Sequence, residues 1–256
     1  NRVFVADNIK EILPEFLTVL KGVIDCPDIP INVSRSFLQN DGTVSKIASF
    51  ISKKVSDKLH SIFEAGREQY ERYWEDIHVL IKYGCLRDHK FFERMKDIVL
   101  WPTTQGDYRT LDEWFESEPE QTGEKTVYYT DNRAQQSAAV ALYHAHGIRV
   151  AELKHPIDMP FSQMFEMEDA SRRFVCVTAE PPESLKTGKS VDEAEAASLR
   201  ELFVSALPEH KIQVRVEYLS EDSLPALLSL PEYTRRLQQM RRLYGQEVPE
   251  TPEEYI

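Results

Sequence analysis

Arg35 and Gln39 stand four residues apart in Asn32-Val33-Ser34-Arg35-Ser36-Phe37-Leu38-Gln39, where an extended loop turns into a helical pattern. Side chains at that spacing share one side of an opening helical turn. A planar, permanently charged fork beside an amide is suited to gripping a phosphate, because arginine keeps its charge at any working pH. Asn32 and Ser34 are of the types that shape and cap such a loop. On residue chemistry alone, Arg35 is evenly balanced between a surface salt bridge and an anion contact. A cation at the first turn opposes the positive end of the helix dipole, at a cost of about 0.3–1 kcal/mol. That is a mild hint of a visiting anion.

The rest of the chain offers no rival of equal weight. Gly188-Lys189-Ser190 looks like the tail of a phosphate loop, but Glu183 stands where the earlier glycine is required, so the stretch reads as linker. His144 and His146 lie two apart on a helical pattern and point in different directions, and His155 precedes Pro156 in a loop. No His, Cys and carboxylate group has metal-ligand spacing, so no metal is expected. No G-x-S-x-G elbow is present. Trp74, Trp101 and Trp114 read as core. Leu224-Pro225-Ala226-Leu227-Leu228-Ser229-Leu230-Pro231 reads as a small C-terminal core, with an apolar hairpin offered to other proteins as the alternative.

The 256 residues carry a formal net charge of −12, with 41% apolar and 29% charged residues. This is globular composition, and its sign argues against a general nucleic-acid or anionic-membrane binder. Cys26, Cys85 and Cys176 are dispersed and form no CxxC pair, as expected of thiols in a reducing cytoplasm. No run is long and apolar enough to span a bilayer, and no signal peptide opens the chain. Asn1-Arg2-Val3-Phe4-Val5 enters directly into a strand-like run, so a piece of a longer protein is expected.

These residues must be held by elements that hydrophobic period reveals. Arg2–Ala6 reads as a strand, followed by a turn and a helix starting near Pro14. Ile47 to Phe63, Tyr70 to Ile81 and Phe91 to Val99 mark three helices, the second ending near Gly84. Thr110-Leu111-Asp112-Glu113 is a capping box. Then Thr126–Thr130, Ile148–Leu153 and Phe174–Thr178 read as strands, separated by helices at 132–146 (closed by Gly147) and 160–167. Strand, helix, strand, helix, strand implies a parallel sheet with right-handed crossovers. Beyond a linker at 179–190 come a helix (193–206), a strand (212–219) and a basic helix (232–244), then an acidic, Pro-rich end.

The chain resembles the ninety-kilodalton heat-shock chaperone family, and most closely its bacterial branch. The resemblance is carried by Arg2-Val3-Phe4-Val5, Leu13-Pro14-Glu15-Phe16-Leu17, Lys21-Gly22-Val23-Ile24-Asp25 and above all Asn32 to Gln39. Val127-Tyr128-Tyr129, Pro156-Ile157-Asp158 and Val175-Cys176-Val177-Thr178 follow in the right order. It implies an α/β fragment of that family's middle and C-terminal domains. The expected parts are a remnant of the large middle-domain α-β-α subdomain with the arginine loop (1–44), a helical connector (45–104), a smaller parallel-sheet α-β-α unit (105–180) and an α+β start of the C-terminal domain (181–256).

The resemblance further implies a homodimeric clamp that hydrolyses ATP and holds non-native client proteins. ATP with magnesium would sit in a separate N-terminal domain, so no cofactor is expected in this fragment, which alone should be inactive. Arg35 would reach the γ-phosphate like an arginine finger, with Gln39 supporting the same loop and Asn32 and Ser34 shaping it. These residues are expected to lie outside the family's nucleotide-binding domain and terminal dimerising helices, and Ser36 stands where the family usually has an acidic residue. A non-catalytic scaffold and an unrelated α/β enzyme built on the 126–178 sheet are the rival readings. No nucleic-acid or membrane partner is expected.

Overall fold

The computed structural model describes residues 13–17, 19–23, 42–116, 125–179, 182, 185, 191–207, 212–218, 229–243, 245–246 and 254–255. The expected strand at 2–6 lies outside them. The described residues form a mixed α/β structure of eight α-helices, a three-stranded parallel sheet and small two-stranded pairings. The chain divides into two compact units, one of residues 1–100 and 110–114, the other of 101–109 and 115–256.

The first unit is helical. α1 (Gly42–Ala65), α2 (Arg67–Arg87) and α3 (His89–Met95) pack together, with Gly66 separating the first two and Asp88 capping the third through the amides of Lys90 and Phe91. Tyr70, Trp74, Ile81, Phe91, Phe92 and Met95 are buried between them. The buried Tyr70 hydroxyl donates to the Ile98 carbonyl at 3.0 Å, so burying the ring leaves no unmet polar group. A short 3-10 turn, Glu15–Leu17, starts just after Pro14 and lies against α2.

Gly84 does not end α2. The helix continues through it to Arg87 because the missing side chain makes room for a neighbour: a Cβ there would sit 2.5 Å from Phe16 Cδ2. Phe16 fills that notch and packs on Phe91 with ring centroids 4.6 Å apart. Glu15 accepts from the Tyr83 hydroxyl at 2.9 Å, beside the same contact.

The capping box forms as its spacing requires. The Thr110 amide donates to Glu113 Oε2 at 2.9 Å and the Glu113 amide to Thr110 Oγ1 at 3.2 Å, opening α4 (Leu111–Glu116). Glu113 also receives both terminal nitrogens of Arg67 at 2.9 Å, which ties the box to the start of α2.

In the second unit β3 (Lys125–Thr130) lies between β4 (Val150–Glu152) and β5 (Arg172–Cys176), all parallel. A small antiparallel hairpin, β1 (Trp101–Pro102) with β2 (Tyr108–Arg109), adds through Thr103 to β4. α5 (Ser137–Ala145) covers the Tyr128 face, where the Tyr128 and Tyr143 rings meet edge-on at 5.0 Å. α6 (Asp158–Glu168) covers the other face, where Phe174 sits 4.9 Å from the ring of Trp101, which also contacts Phe161 and Phe165. Side chains of a strand alternate between faces, so Tyr128 against α5 and the Val127–Phe174 pair against α6 put the two crossover helices on opposite sides. α5 starts later than the period predicts, at Ser137, because residues 133–136 form turns on Asn132. It ends as Gly147 predicts: that residue has φ +73, its amide bonds to the His144 carbonyl, and the Ile148 amide bonds to that of Tyr143.

α7 (Glu193–Ala206) is capped by Asp192, and α8 (Glu232–Leu243) follows Pro231. β6 (Ile212–Gln213) pairs with β7 (Glu254–Tyr255) in parallel, a short remnant of the strand expected over 212–219. Among the described residues no helix is long and apolar enough to cross a membrane.

The Phe16 notch yields a test. Gly84→Ala overpacks it, and a cost of about 1–3 kcal/mol outweighs the ~1 kcal/mol that alanine gains as a helix former. The urea midpoint followed by tryptophan fluorescence should fall. Gly84→Ala combined with Phe16→Leu should lose less than the two single losses summed; strict additivity would show that the ring is not what the glycine accommodates.

Candidate functional site

Asn32, Ser34, Arg35 and Gln39 lie outside the described residues, as do Gly188–Ser190 and residues 224–228. Trp74, Trp101 and Trp114 are core residues, each essentially fully buried. The histidines have separate structural partners. His144 Nε2 lies 2.8 Å from Thr104 Oγ1 and His146 Nδ1 lies 2.9 Å from the Leu142 carbonyl, while the His155 amide donates to Asp158. Burial, aided by Arg133, holds the His144 pKa below its ordinary value.

The densest polar constellation among the described residues is in the second unit, where α8 meets the sheet. Tyr129 of β3 and Cys176 of β5 are register partners at the carboxyl ends of their strands, and Glu232 joins them. Its Oε1 accepts from the Tyr129 hydroxyl at 2.7 Å and its Oε2 from the Cys176 amide at 2.9 Å. Arg235 lies over the Tyr129 ring, 4.9 Å from its centroid, and donates to Asp131 Oδ2 at 2.5 Å. Arg236 forks onto Glu166 at 2.7 and 2.9 Å, reaches Glu232 at 2.7 Å, and donates to the Phe174 carbonyl at 2.6 Å. Glu166 in turn accepts the Phe174 amide at 2.7 Å.

Among the described residues β5 pairs only with β3, and the side chains of Glu166, Arg236 and Glu232 satisfy Phe174 and Cys176 where another strand would otherwise bond. The charges feel the cost of leaving water. Burial raises the Glu232 pKa against the Cys176 amide and Arg236, which pull it down. Burial, helped by Arg236, brings Arg235 down to about 10. Burial also works against Arg236, but Glu166 and Glu232 outweigh it and raise its pKa. Desolvation of such ions costs several kcal/mol each and Coulomb attraction returns about as much, so the network fixes geometry more than it adds stability.

Residues 232–244 read as a basic helix in the sequence, and the cluster is not evident there. The available signal was Glu232 placed three and four residues before Arg235 and Arg236, which puts all three on one face. Asp131 and Glu166 carried no signal, because only the fold brings them to that face. The carboxyl end of an open parallel sheet is where such folds bind ligands. Here Arg235 and Glu232 of the same chain occupy it.

Comparison with known proteins decides the family. The family model described as Hsp90 protein matches residues 1–243. The chain belongs to the Hsp90 family. It is 35% identical over 255 residues to the chaperone protein HtpG of Bacteroides fragilis, covering 95% of this chain and 37% of that protein. It is 32% identical to the HtpG of Bacteroides thetaiotaomicron and 33% identical to that of Porphyromonas gingivalis, each over 95% of this chain and 37% of the relative. The chain therefore spans little more than a third of the length of the Hsp90 relatives it matches.

The buried thiols give a prediction. Burial raises the Cys85 pKa, and burial raises that of Cys176 to about 12 against the Thr178 hydroxyl. At pH 8 the Cys176 thiolate is then roughly one part in ten thousand. With Cys26 replaced by Ser, a chromogenic disulfide reagent should find no rapidly reacting thiol until urea unfolds the chain. Fast titration of either cysteine in the native state would contradict the packing described.

Proposed function

We propose that this chain is the part of an ATP-dependent chaperone that completes, from the middle of the polypeptide, a nucleotide site carried by another domain. Arg35 contacts the γ-phosphate of magnesium-bound ATP and neutralises charge that develops as the phosphoryl group transfers. Gln39 supports the same loop, and Asn32 and Ser34 shape it. The observation that carries this reading is the run Asn32 to Gln39, an arginine and an amide four residues apart in the sequence, within an Hsp90 family match over residues 1–243.

Hydrolysis then couples to closure of a homodimeric clamp around non-native client proteins, a role in keeping with relatives named as chaperones. The cytoplasm is the proposed compartment, which suits the free, buried thiols of Cys85 and Cys176. The chain alone binds no cofactor and turns over no ATP.

Arg35→Ala in the full-length protein tests this. Turnover should fall about 10²–10³-fold, the loss typical of removing one preorganised charge-stabilising donor, with nucleotide affinity retained. An unchanged rate would favour the non-catalytic scaffold instead. Measurable hydrolysis by the chain alone would overturn the division of labour between domains.

A further inference from the structure

We infer that the carboxyl end of the parallel sheet is a guanidinium-binding crevice, that α8 occupies it as the chain's own ligand, and that α8 leaves and re-enters it as one piece while the sheet stays folded. Three observations carry this.

The place is the first. Strand order β4-β3-β5 sends the chain from β3 to one side and then back across to the other. The crossover helices lie on opposite faces, so β3 and β5 form the point where the winding reverses, and such points open a crevice at the strands' carboxyl ends. Glu232 spans that point, bonded to Tyr129 on β3 and to Cys176 on β5. Arg235 is held there by an aromatic face and by Asp131, the two groups best suited to a guanidinium, and Asp131 is itself oriented by the Gln136 amide at 2.9 Å.

The polarity of α8 is the second. A surface helix ordinarily turns its apolar stripe inward. α8 does the reverse: Arg235 is 8% exposed, whereas Tyr233 is 78%, Leu237 38% and Met240 48% exposed. The contact is thus made of ions that regain water on separation. Opening uncovers the Tyr129 ring and Met159, which Arg235 touches, while the ions regain water, so the fork geometry dictates one docked register.

The third is that the sheet has its own core. Trp101, Phe161, Phe165 and Phe174 pack together on one face, and Tyr128, Val140, Tyr143 and Val150 on the other, while α8 adds Arg235 over Tyr129 and Met159. Release of α8 frees the Phe174 carbonyl and the Cys176 amide, but the Phe174 amide keeps Glu166.

Amide hydrogen exchange on the intact chain is the test. In the unmodified chain at low urea, α8 amides should open at lower denaturant than those of β3 and β5; a single shared opening would overturn the inference. Glu166→Gln keeps the acceptor for Phe174 and removes the charge under Arg236. It should speed α8 exchange about tenfold and leave β3 and β5 unchanged, as expected for the loss of one charged hydrogen-bond pair. Unaltered α8 protection, or equal acceleration of β5, would refute it. At matched ionic strength, L-argininamide should accelerate α8 exchange more than L-lysinamide; equal effects would refute a guanidinium-specific crevice.

Discussion

One carboxylate sets the geometry of the second unit. Glu232 accepts from a tyrosine of the central strand, from the backbone of the edge strand and from Arg235 and Arg236 of its own helix, so α8 has one place to lie. The constraint is electrostatic and directional. Each charge has given up water, and the loss is made good only where every fork meets its acceptor. It also solves the problem of β5, an edge strand whose backbone groups would invite pairing, by covering them with side chains.

The first unit depends on shape. Three helices enclose an aromatic core, and Gly84 leaves on α2 the space that Phe16 enters. The turn that carries Phe16 precedes the segment bearing Arg35, and α1 follows it, and both pack against α2. The residues on either side of the arginine segment are thus seated on one helical block.

Local patterns were well legible in the sequence. The capping box at Thr110 and Glu113, the Gly147 helix end and the 193–206 helix follow from interactions within a few residues, and the parallel order of the 125–176 strands from the alternation of strand and helix patterns. Gly84 misled for the opposite reason. A glycine late in an apolar helical pattern reads as a stop, and its actual partner is sixty-eight residues away in the chain. The acidic side of the α8 network was equally silent, since Asp131 and Glu166 are separated from the arginines they bind by 104 and 70 residues.

What the sequence determined alone is the family, because runs such as Asn32 to Gln39 remain recognisable wherever the chain goes. What only the tertiary structure decided is which charges are buried and against what. Hydrophobic period reports the faces that avoid water, and α8 docks by the face that does not. Its arginines look solvated in the sequence and become internal ligands only when the sheet brings a tyrosine ring and two distant carboxylates beneath them.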